Sequence, residues 1–151
     1  MAELPYLEDG PHWELRGRVD SAEFFRRLGS AFPSATTLFV EGDPDADVRE
    51  FLDAVAEPGP YLAVPGTIWP KPRRHRVPIS ASVLATLAQI AERHAEPEIC
   101  YHLHAYARER AVLVWYDAFS ADAPAFVAPD VDSERVRAFA GALGFRVTKR
   151  E

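Results

Sequence analysis

The feature that most restricts this chain is the alternation along residues 98–108, followed by a second apolar-rich run over 111–118. Ile99, Tyr101, Leu103, Ala105 and Ala107 fall on one side of an extended segment. Glu98, Cys100, His102, His104, Tyr106 and Arg108 fall on the other. A period of two means a strand with one face committed to a core, because successive side chains leave a pleated backbone in opposite directions. Arg108-Glu109-Arg110 links the two runs, so they pair as a β-hairpin over about 98–118. No glycine or asparagine specifies the turn, which leaves two registers. In the favoured one, His104 faces Trp115 and His102 faces Asp117. In the other, a three-residue turn moves Asp117 to the Tyr101 face.

A hairpin with one apolar face needs a layer to pack on, and four helical patterns supply it. Ser21 can cap a helix carrying Phe24, Phe25, Leu28 and Phe32 on one stripe. Asp43-Pro44 opens a second, with Val48, Phe51, Leu52 and Val55 inward. A third runs from about Ser80 to His94 through Val83, Leu84, Leu87, Ile90 and Ala91. The fourth begins near Asp132-Ser133, uses Val136, Phe139, Ala140 and Leu143, and ends at Gly144, where a left-handed residue suits a helix terminus. Further strands are predicted at 12–19, 36–40, 61–64 and 145–148. Residues 66–78, with prolines at 70, 72 and 78 and Pro65 just before, read as an extended, exposed loop. Residues 120–130 read as a second loop.

These elements predict an α/β protein of the α+β type: a mixed or mostly antiparallel sheet of about five to six strands with three to four packed helices. The chain has 151 residues, 48% of them apolar and 26% charged, which fits a single globular domain over 1–151 able to bury its own core. One cysteine, Cys100, excludes an internal disulfide. The opening Met1-Ala2-Glu3-Leu4-Pro5 has no signal-peptide character, and no run approaches the roughly 20 apolar residues of a membrane helix. The expectation is therefore a cytoplasmic protein with no membrane partner.

Charge is distributed unevenly behind the net value of −6. Residues 1–57 hold thirteen acids against five bases, whereas residues 58–91 hold no acid and four bases. The acidic body disfavours nucleic acid and suits a basic protein partner. The basic segment Trp69-Pro70-Lys71-Pro72-Arg73-Arg74-His75-Arg76 gives a candidate binding element in Trp69, Lys71, Arg73, Arg74 and Arg76. An anion or an acidic peptide segment would suit it; a solvated loop pairing with the acidic body of the same chain is the plainer reading.

Three residues could carry chemistry on the hairpin's polar face. In the favoured register His102, His104 and Asp117 form an imidazole–carboxylate cluster, with Cys100 and Glu98 beside it. Two histidines two apart on a strand project the same way and can share zinc or another divalent transition metal, with a carboxylate as third ligand. The same groups could act as acid and base, and Cys100 could be a nucleophile. A structural hairpin face is the stronger reading, with a buried, inert cysteine and no cofactor. His94 is read as a cation at a helix C-terminus.

Asp43, Asp45 and Asp47 open like a calcium loop, but Val48 and Ala54 stand where that loop needs glycine and glutamate. No glycine-rich phosphate loop, G-x-S-x-G, H-E-x-x-H or C-x-x-C occurs. Trp13, Trp69, Trp115 and Phe119 are candidates for an exposed aromatic patch. The functional expectation is a non-enzymatic protein-binding module, such as an adaptor, regulator or immunity-type inhibitor, that uses its acidic surface. The alternative is a metal-assisted hydrolase or other small enzyme built on His102, His104 and Asp117, with help from His75 or Cys100.

Overall fold

All the helical stripes find the same side of one sheet. The computed structural model describes residues 6–151, apart from the side chain of Glu96; the opening Met1–Pro5 lies outside the described residues. The strands are β1 (His12–Arg16), β2 (Thr37–Gly42), β3 (Arg73–Pro78), β4 (His102–Ala107), β5 (Arg110–Trp115), β6 (Ala125–Val127) and β7 (Arg146–Arg150). They form one seven-stranded sheet in the order β3-β2-β4-β5-β6-β1-β7, with every neighbouring pair antiparallel. The helices are α1 (Ser21–Ala31), α2 (Ala46–Val55), α3 (Ala81–Ala91) and α4 (Ser133–Leu143). This is the α+β architecture the patterning predicts, with one strand more than expected. Among the described residues, no helix is long and apolar enough to cross a membrane.

Leu38, Val40, Leu103, Ala105, Leu113 and Trp115 share the helix-covered face and are buried. There Phe24 of α1 meets Trp115, Phe119 and Phe139 with ring centroids 5.2–5.7 Å apart, joining α1, β5 and α4 in one aromatic cluster. Trp115 and Phe119 thus belong to the core, as does Trp13 on β1. Helix termini follow local chemistry: Ser80 accepts from the Val83 N–H at 3.2 Å and Asp132 from the Glu134 N–H at 3.0 Å. Gly144 takes the left-handed φ of +83° that stops α4.

Four stretches depart from the sequence reading. β3 lies within the segment read as a loop, yet Arg74 and Arg76 alternate there with buried His75 and Val77. An edge strand needs a partner on one side only, so it tolerates arginines and a proline that would disqualify a central strand. β6, three residues long, lies within 120–130. Residues 61–64 form no strand; bounded by Pro60 and Pro65, they cross the sheet, with Tyr61 edge-on to Phe39 at 5.0 Å. β4 begins only at His102, after a short 3-10 turn at Glu96–Glu98.

The hairpin register is the other correction. Leu103 pairs with Trp115, His104 with Val114 and Ala105 with Leu113. His102 therefore does not face Asp117. The link is a two-residue turn, Arg108-Glu109, with Arg108 at φ +58°, and a bulge between Ala105 and Tyr106 shifts the pairing. Core burial explains the choice, because the favoured register would have put Trp115 on the histidine side of the sheet.

Candidate functional site

The sheet face away from the helices carries Phe39 and Glu41 from β2, His102, His104 and Tyr106 from β4, and Arg74 and Arg76 from β3. Strand patterning predicts their common side but not their environment. The chain between α2 and β3 lies against Glu41, His102 and Phe39, and Glu41, His102 and His104 are buried.

Glu41, 1% exposed, anchors that chain. Its Oε1 accepts the N–H of Gly66 at 2.8 Å and of Thr67 at 3.1 Å, and its Oε2 accepts Arg74 Nε at 2.5 Å. Arg74 also donates through Nη2 to the Thr67 carbonyl at 3.1 Å. His102 Nδ1 accepts the Asp117 N–H at 3.0 Å, so the ring proton sits on Nε2. That nitrogen is 2.7 Å from Thr67 Oγ1 and 3.6 Å from Glu41 Oε1. Tyr116 donates its hydroxyl to the Val64 carbonyl at 3.2 Å. Gly66 packs so tightly that a Cβ there would lie 2.6 Å from His102 Nε2 and 2.8 Å from Tyr116 Cδ1. Only glycine permits that approach.

His104 lies deeper, its Nδ1 accepting the Trp115 N–H at 3.1 Å and its ring edge-on to Tyr116 at 4.9 Å. Burial, with His102 nearby as a lesser cause, pushes its pKa down to about 3, so the ring is neutral at physiological pH. Burial also raises the Tyr116 hydroxyl to about 12 and the Cys100 thiol to about 12. Cys100 is a core residue, without the electropositive, accessible surroundings of a reactive thiol.

Chemically, the arrangement holds backbone rather than substrate. Two amide N–H groups and a guanidinium occupy Glu41, and a backbone amide occupies Nδ1 of each histidine. Asp117, exposed and at φ +50°, contributes its amide to this site. Among the described residues, the expected ligands His102, His104 and Asp117 do not bring three donor atoms together as a metal requires. No family model matches the chain, and neither comparison with curated proteins nor with solved structures gave a match.

The expected basic binding element divides in two. Arg74 turns inward to Glu41. Arg76 lies over the Phe39 ring and reaches Glu57 Oε1 at 3.2 Å and the Pro60 carbonyl at 3.1 Å. Lys71 and Arg73 remain exposed, as does Trp69 at 87% beside Ile68 at 85%. His75, buried on the helix side, has Nε2 2.7 Å from Asp53 Oδ1 on α2, far from the role of catalytic helper. Sequence reasoning missed Glu41, Gly66, Thr67 and Ile68. The signal present was a single acid closing the otherwise uncharged strand Thr37–Val40, opposite a stretch with no acid at all.

Proposed function

We propose that this chain is a protein-binding module whose contact element is the tip of the α2–β3 connection. One observation carries the reading: Ile68 and Trp69 stand almost fully exposed and adjacent, on a loop whose base is fixed to a buried carboxylate. Isolated exposed apolar residues are ordinary, but a tryptophan and an isoleucine held outward together on a braced loop match an interface anchor. Bracing also lowers the ordering cost of binding. Lys71 and Arg73 beside the tip favour a partner with an apolar pocket and an acidic rim.

The acidic-surface reading has less support. Asp45 and Asp47 gather around His94, and Asp53 meets His75, so much of the exposed acidity near α2 already faces an imidazole within the chain. Enzymatic use of His102, His104 and Asp117 would require the covering loop to leave.

A photo-crosslinking residue in place of Trp69, with one in place of Glu109 as control, tests the proposal in the native host. The expected result is a defined protein adduct from position 69, competed by unlabelled wild-type protein but not by Ile68→Ser/Trp69→Ser. Equal adducts from both positions, or equal competition by the double variant, would overturn it. So would recovery of position 69 only on anionic phosphatidylserine vesicles. Once the partner is isolated, Trp69→Ala should cost about 2 kcal/mol, roughly thirtyfold in Kd, with unfolding unchanged.

A further inference from the structure

A second cluster lies where the start of α2 meets the chain leaving α3. α3 ends at Ala91, so His94 is not part of the helix whose dipole it was expected to complement. Its largely buried ring faces Asp45, Asp47 and Glu98. Nε2 is 2.8 Å from Asp47 Oδ2, an ordinary charge-assisted hydrogen-bond distance. Nδ1 behaves differently: Asp45 Oδ2 and Glu98 Oε1 each lie 3.4 Å away, too far for a strong hydrogen bond.

That spacing has a chemical meaning. Ligand atoms bound at 2.0–2.1 Å around a tetrahedral cation stand about 3.3–3.4 Å apart, the edge of the tetrahedron. The three donor atoms of Asp45, His94 and Glu98 lie within 4.8 Å of one another. The other ring nitrogen meets a carboxylate, the arrangement that commonly fixes the tautomer and orientation of a metal-bound histidine.

Two further observations fit. Asp45 occupies the N-cap position of α2 yet makes no capping hydrogen bond with its side chain, leaving the carboxylate for Nδ1. Glu98 Oε1 is held in place by the Ala95 N–H at 2.8 Å, while the Glu98 carbonyl accepts the Asp45 N–H at 2.9 Å. The two outer ligands are therefore tied together through the backbone. Three carboxylates outweigh the partial positive charge of the α2 N-terminus.

We propose that Asp45, His94 and Glu98 form a three-ligand site for a divalent transition cation of the zinc class, with Asp47 orienting His94 through its Nε2–H. An imidazole donor selects against magnesium and calcium, and the exposed side leaves a position for water. Bound metal would clamp the start of α2 to the segment leading into β4. This site is separate from the histidines of β4.

Titration of chelator-stripped full-length protein with cobalt(II), read by its visible absorption, and with zinc(II), read by calorimetry, tests the assignment. One equivalent should bind with the absorption of tetrahedral cobalt, unaffected by excess magnesium. His94→Ala should abolish the signal, and Asp47→Asn should weaken binding about 10- to 100-fold without changing stoichiometry. Should His94→Ala fail to fold, by far-ultraviolet circular dichroism, Asp45→Asn and Glu98→Gln carry the same test, because both side chains are partly exposed. No saturable binding by wild type, displacement by magnesium, or undiminished binding in the ligand variants would overturn the proposal; an imidazolium held by three carboxylates would then account for the cluster.

Discussion

Burial changes His104 from an ordinary imidazole into one that stays unprotonated down to about pH 3. Because its pKa falls on folding, the neutral ring is the form the native state favours. Its contribution is complete above the free-imidazole pKa of about 6.5 and is lost progressively as pH falls from there towards 3. The loss is at most about 1.4 kcal/mol per pH unit. His104→Asn supplies an oxygen for the Trp115 N–H but no titrating ring. Urea midpoints at pH 7, 6 and 5 should fall less steeply for that variant than for wild type; parallel falls would assign the acid sensitivity elsewhere. Gly66 constrains its neighbours by having no side chain. Gly66→Ala drives a methyl into the His102 and Tyr116 rings and should cost about 1–3 kcal/mol, measurable by chemical denaturation.

At the scale of elements, the α2–β3 connection behaves as a structural part because Glu41 supplies what a loop lacks, a buried acceptor for its amides. Glu41→Gln replaces an acceptor with a group that must turn donors toward Gly66, Thr67 or Arg74. Leaving buried donors without an acceptor typically costs about 1–3 kcal/mol, and Arg74 itself keeps access to solvent. We expect the loss to appear first as protease cleavage within residues 57–72 while the remaining chain stays protected, and Trp69→Ala to leave the cleavage pattern unchanged. The histidine face was legible as a face: alternation placed His102, His104 and Tyr106 together. Its burial was not legible, because no local pattern announces which distant segment will lie over a strand. The register was closer to hand, since matching Leu103 and Ala105 with Trp115 and Leu113 keeps every large apolar group on one side.

For the whole molecule, one aromatic cluster ties the helical layer to the sheet. Phe24 contacts rings from β5, α4 and the segment after β5, so its loss would be felt across three elements. Phe24→Ala should destabilise by about 3–5 kcal/mol, seen as one cooperative shift in denaturant midpoint; a separate early transition of α1 alone would contradict that coupling. Both sheet edges are rich in cations, Arg73, Arg74 and Arg76 on β3 and Arg146, Lys149 and Arg150 on β7, which discourages edge-to-edge pairing of copies. The arginines that sequence reading offered as a binding surface thus serve partly as edge protection and partly as internal ion pairs.

The local sequence determined the four helices, their buried stripes and end signals such as Ser80, Asp132 and Gly144, because these depend on residues within a turn or two of one another. It also determined the two-faced character of β4 and the α+β class. Tertiary structure decided the rest: the edge-strand role of 73–78, the hairpin register, the burial of His102 under Gly66 and Thr67 and of His104 against Tyr116, and the gathering of Asp45, Asp47 and Glu98 around His94. Each depends on segments far apart in the chain meeting in space. There, burial of apolar surface and satisfaction of buried polar groups outweigh local preference.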